Sequence, residues 1–113
     1  MNAHQRIVTE DRVQKALDFL ADSAGALGAA RERAKLAENK IKHVEALMFK
    51  ASDATSNDRR QADARTSEAY VAAINEDAEA TGELAKLYAL REAAAALIEA
   101  WRSQEATWRS MKL

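Results

Sequence analysis

The chain has 113 residues, of which 31% are charged and 48% hydrophobic, with a formal net charge of −1. This length admits one small domain, and so balanced a charge gives the chain as a whole no general attraction for nucleic acid. The absence of Cys excludes disulfides and thiolate metal sites, and no apolar run approaches the roughly 18 residues that span a membrane.

In chain order, residues 1–6 carry no apolar stretch of the signal-peptide kind, and with the missing cysteines this reads as a cytosolic protein. Thr9 is a suitable helix N-cap, and Glu10 and Asp11 suit the positive end of the helix dipole. From there Val13, Leu17, Leu20, Ala24, Leu27, Ala34, Ile41, Val44 and Met48 recur at steps of three, four or seven, which predicts one long helix over about residues 9–50. Gly25 and Gly28 weaken it, or mark a bend. Residues 52–58 are rich in side chains that compete for backbone hydrogen bonds and favour turns. They open a connector over 51–66 that holds a short helix over about 58–64. Thr66 and Ser67, with Glu68 behind them, predict a second start. The second long helix runs to about residue 110 on a stripe of Tyr70, Ala73, Ile74, Leu84, Leu87, Ala94, Ile98, Trp101 and Trp108.

Charge sets the orientation of the two helices. Residues 31–50 carry Arg31, Arg33, Lys35, Lys40, Lys42 and Lys50 against Glu32, Glu38 and Glu45, whereas residues 67–86 carry Glu68, Glu76, Asp77, Glu79 and Glu83 against Lys86. A fold-back in the connector lays the basic block on the acidic one, and it sets Leu17 and Leu20 opposite Leu97 and Trp101. The predicted fold is therefore all-α, a single domain over residues 1–113. It is a long, coiled-coil-like antiparallel helical hairpin with a short connecting helix. A two-helix layer of so many alanines leaves one face of each helix wet, which predicts a homo-oligomer.

Chemistry is harder to find. His4 and His43 are the only histidines, and neither belongs to an HxxxH or ExxH arrangement that holds a metal. Glu76, Asp77 and Glu79 invite comparison with the magnesium-holding carboxylates of all-helical nucleotide pyrophosphatases. Those need acidic motifs on two helices, and here the other helix supplies Lys and Arg at the matching level. No phosphate loop, nucleophile elbow or Cys/His pair is present. The expectation is a non-enzyme with no cofactor and no metal.

Two segments are candidate contact sites. Arg59 and Arg60, with Arg65, form a basic patch on the connecting helix. They suit a phosphate or a partner carboxylate; in the structural reading, Arg60 folds back on the acidic start of the second helix or caps carbonyls at the end of the first. Trp101 and Trp108 stand seven apart, with Arg102 and Arg109 repeating that step beside them. Three readings stay open for this ladder. It packs within the chain, it anchors a protein interface, or it stacks on exposed bases.

The run Ile98-Glu99-Ala100-Trp101-Arg102-Ser103, with Ala106 and Arg109 after it, resembles the ending of a widespread group of small bacteriophage and prophage proteins. Arg60, Ala62, Ala64, Ser67 and Tyr70 stand at the spacing of that group's upstream motif. The resemblance covers about residues 44–110 and includes no catalytic motif. In the connecting helix Gln61, Asp63 and Arg65 depart from the group's mainly small or aromatic residues. The resemblance implies a phage protein of the host cytoplasm, and genes of the group often lie near recombination and single-strand-annealing genes. On that basis the chain reads as a phage accessory protein that contacts itself and a phage or host protein. The alternatives are a single-stranded-DNA-binding accessory factor and a virion structural or assembly protein.

Overall fold

The structure is a computed structural model and describes residues 7–111. Those residues form four helices with no strand among them: α1 (Glu10–Asp22), α2 (Ala24–Ala51), α3 (Asn57–Thr66) and α4 (Glu68–Met111). His4 lies outside the described residues.

Each start follows from a local cap. Thr9 accepts from the Arg12 amide through its side chain, so α1 begins where a hydroxyl satisfies an otherwise unpaired N–H. Ser56 does the same for Arg59 at the start of α3. Ser67 closes one helix and opens the next: its hydroxyl donates to the Ala64 carbonyl at 2.7 Å and accepts from the Tyr70 amide at 3.2 Å. The turn before α3 is held by Ser52, whose Oγ accepts from the Ala54 amide and donates to Asp63 at 2.6 Å. The connecting helix is longer than its predicted 58–64, because Ser56 caps it early and Ser67 ends it late.

The single helix expected over residues 9–50 is divided at Ser23. The Ser23 amide still donates to Phe19 O, and Leu27 N donates to Ser23 O, both at 2.9 Å. The Leu20 carbonyl, however, accepts from the Arg91 guanidinium at 2.8 Å. A side chain reaching a backbone carbonyl is a recognised cause of a helix irregularity. The glycines are not the cause. Gly25, Gly28 and Gly82 all have negative φ, and a Cβ at any of them would meet nothing within 4 Å.

Contacts divide the described residues into two compact units, residues 28–85 and the segments 7–27 with 86–111. In residues 28–85 the buried residues are Ala30 and Ala37 on α2, Ala64 on α3, and Ala73 and Ala80 on α4. Between them Ala34, Ile41, Val44 and Met48 on α2, and Tyr70, Asp77 and Leu84 on α4, are half-buried. The alternating steps of three and four are those of a heptad seam, and alanine every seventh residue lets backbones approach closely. In the other unit Val8, Val13, Ala16 and Ser23 are buried; Leu20 and Leu27, and on α4 Leu87, Arg91, Ala94, Ile98, Trp101 and Trp108, are half-buried.

This corrects three of the predicted stripe residues. Leu17 is 45% exposed and Ile74 41% exposed, and Ala24 is exposed as well. Ala16 and Ser23 occupy the seam instead of Leu17 and Ala24, because the seam selects position in the 3-4 alternation over size. Leu97 lines a groove with Ala16 and Phe19.

Candidate protein-interaction surface

Where basic and acidic segments meet, the pairing is explicit. On α2, Arg33 contacts Glu83, Lys40 Nζ lies 2.8 Å from Glu76 Oε2, and Glu45 Oε1 lies 3.2 Å from Arg65 Nε. Partner numbers fall as residue numbers on α2 rise. These side chains are mostly half or more exposed, so each pair is worth about 0–1 kcal/mol and selects register more than it stabilises. Glu76, Glu79 and Glu83 line a small cleft with Arg33 and Ala80. Two of the three carboxylates thus already face cations. Among the described residues no group of three or more His, Cys, Asp or Glu is placed to hold a metal ion. His43 is exposed.

On the connecting helix the two arginines separate. Arg60 Nε donates to the Ala54 carbonyl at 2.8 Å, and its guanidinium lies over the Phe49 ring, 5.9 Å from the centroid. Arg60 therefore ties the turn to the end of α2, a capping role with a cation–π contact beneath it. Arg59 is exposed. Arg65 is held by Glu45, so the three arginines do not converge on one ligand position.

In the C-terminal ladder, Trp101 and Trp108 sit at successive equivalent seam positions and are both half-buried. The Trp101 Nε1–H is shielded from solvent and has no hydrogen-bond partner. A base-stacking platform presents its ring face to solvent, whereas this indole is turned inward. Arg102 Nη1 pairs with Glu99 Oε1 at 3.0 Å within the same helix, and Arg109 is exposed.

The centre that sequence reasoning missed is Arg91 with Ser23. Arg91 Nη1 donates to Ser23 Oγ at 2.6 Å and to Leu20 O at 2.8 Å. Ser23 is the one buried polar residue among the described residues. A second polar contact lies in the same unit, where Gln104 exchanges two bonds with the Val8 backbone, Nε2 to Val8 O at 2.8 Å and Val8 N to Oε1 at 3.0 Å. The strict 3-4 alternation was the available signal, since it puts Ser23 and Arg91 on the buried rows.

No helix among the described residues is long and apolar enough to cross a membrane. No family model, no curated protein and no solved structure matches the chain.

Proposed function

We propose that this chain is a non-enzymatic accessory protein that works through protein–protein contacts, built as an antiparallel helical hairpin that assembles with copies of itself. One observation carries the reading. The described residues include no fully buried large side chain, and the core consists of two valines, six alanines and the one polar residue Ser23. So thin an interior leaves large apolar groups outside, among them Leu36 at 61% exposure and Leu90 at 48%. On so thin a helical layer, such groups are the surface that self-association would cover.

A phage origin, with a role beside recombination functions in the host cytoplasm, is supported by the C-terminal resemblance around Trp101 and Arg102. The inward-turned Trp101 and the Glu99–Arg102 pair favour protein contact over base stacking. Arg102, Trp108 and Arg109 are the residues we assign to that contact, and Arg59 on the connecting helix is a separate, secondary candidate.

Anisotropy of a labelled single-stranded oligonucleotide tests the choice. At about 50 mM salt, where phosphate contacts are strongest, the reading expects no binding. Binding that weakens steeply with added salt would replace it with the DNA-binding alternative.

A further inference from the structure

The rows beside the seam differ in character between the two units. In residues 28–85 these rows hold Arg33 and Lys40 on α2 and Glu76 and Glu83 on α4, joined as ion pairs. Seven-residue steps along the same rows reach Phe19 and Ala26 on one side and Leu90 and Leu97 on the other. Here nothing charged closes the flank. Leu90 is 48% exposed, and Phe19 and Leu97 are half-buried. Phe19 and Leu97, with Ala93, line an open groove of about 330 Å³ whose rim carries Arg12 and Lys15, and Leu90 stands one heptad before Leu97 on the same row.

We propose that this groove is the docking site for a second copy of the chain, seated by a two-fold rotation that lays the two α1 helices side by side in opposite directions. The proposal rests on the self-assembly reading above and names its surface.

The surface that this chain exposes is ample for a standard interface. A folded monomer of 12.4 kDa exposes roughly 6,100 Å² by the usual scaling with mass. This chain exposes 8298 Å². The excess is larger than the roughly 800 Å² that a standard interface removes from each partner.

Charge says that the cover is a copy. Along the groove edge of α1, Arg12, Lys15, Phe19 and Asp22 follow one another at steps of three, four and three, and so share one face. On this edge the cations Arg12 and Lys15 precede Phe19 and Asp22 follows it, while Asp11 and Asp18 lie slightly further round the helix. A two-fold axis near Phe19 brings the Arg12/Lys15 end of each copy against Asp22 of the other, as an isologous contact requires. Lys15 is held in the single chain by Asp11 at 3.1 Å, with both side chains more than three-quarters exposed, so an intermolecular partner exchanges for it readily.

Sedimentation velocity on the full chain, with circular dichroism as the folding control, tests this. The wild type is expected to sediment as a dimer or an even multiple of 12.4 kDa. Leu90→Asp should bring the mass down to that of one chain with helicity retained. Lys15→Glu and Asp22→Lys, each on an exposed position, should each weaken association roughly tenfold, which is about 1.4 kcal/mol, and the double variant should recover it. Should Leu90→Asp unfold, the charge exchange decides alone. An assembly whose mass and dissociation constant ignore all of these changes overturns the groove while self-assembly stands. A wild type that remains a single chain at high micromolar concentration overturns both.

Discussion

Replacing Arg91 by Leu probes the least ordinary layer of the fold. The guanidinium supplies two hydrogen bonds, to Leu20 O and to Ser23 Oγ, and Ser23 is only 8% exposed. Removing the donor leaves a carbonyl and a hydroxyl without their partner, at about 1–3 kcal/mol for each group that stays unsatisfied. Two effects offset part of this. The Ser23 hydroxyl can turn back to a carbonyl in its own helix, and a leucine on the seam returns about 1 kcal/mol through burial. The net expected loss is about 1–3 kcal/mol. Adding Ser23→Ala to Arg91→Leu removes the stranded hydroxyl and makes an apolar layer. The double variant should then recover at least about 1 kcal/mol relative to the sum of the two single changes. Urea unfolding followed by helical circular dichroism measures all three. An Arg91→Leu protein as stable as the wild type, or strictly additive effects, would refute the view that this pair is one coupled unit.

Gly25→Ala, Gly28→Ala and Gly82→Ala lie in helices with open space around the missing Cβ and no positive φ. Each should stabilise by about 0.5–1 kcal/mol, and the triple variant should show a visibly raised Tm; a lowered Tm would mean that these surfaces are covered by a partner. Trp101→Ala should lower helicity or oligomer mass more than Trp108→Ala, whereas Trp101→Phe should cost far less than Trp101→Ala, because it removes an indole N–H that has no partner. Circular dichroism and light scattering on the three variants check this. Arg60→Ala removes the bond to Ala54 O and the contact with Phe49, and a loss of about 1–2 kcal/mol in chemical unfolding is expected. Exchanging Lys40 and Glu76 for one another should leave stability within about 0.5 kcal/mol of the wild type, because the pair is half exposed.

Local signals were the most legible part of the fold. Thr9 and Ser67 cap helices as their side chains suggest, and the polar run after Ala51 does end a helix. The charge blocks were legible too, since Arg33 and Lys40 meet Glu83 and Glu76. What escaped was set by partners distant in sequence. Gly25 and Gly28 suggest a bend in this region, but Arg91, the side chain that bonds at the division between α1 and α2, lies 68 residues from Ser23. Leu17 and Ile74 belong to the predicted stripe, whereas the seam takes Ala16 in place of Leu17 and keeps the predicted Ala73 without Ile74. Of the candidate contact residues, Arg60 is a clasp for the connector, close to the carbonyl-capping role that its sequence position also suggests. The groove beside Phe19 and Leu97 was hidden for the same reason as the seam. Only the fixed 3-4 alternation separates the rows that are buried from the rows that flank them.

The ion pairs of Arg33 with Glu83 and Lys40 with Glu76 support our proposal that α2 and the first half of α4 run in opposite directions within one chain, in that register. The chain has no cysteine of its own, so paired cysteines can be introduced cleanly and joined with a short bis-maleimide. Arg33→Cys with Glu83→Cys should cross-link within single chains, and Arg33→Cys with Glu76→Cys, one heptad out of register, should not. Efficient cross-linking of the mismatched pair, or matched cross-links found only between chains, would contradict the hairpin.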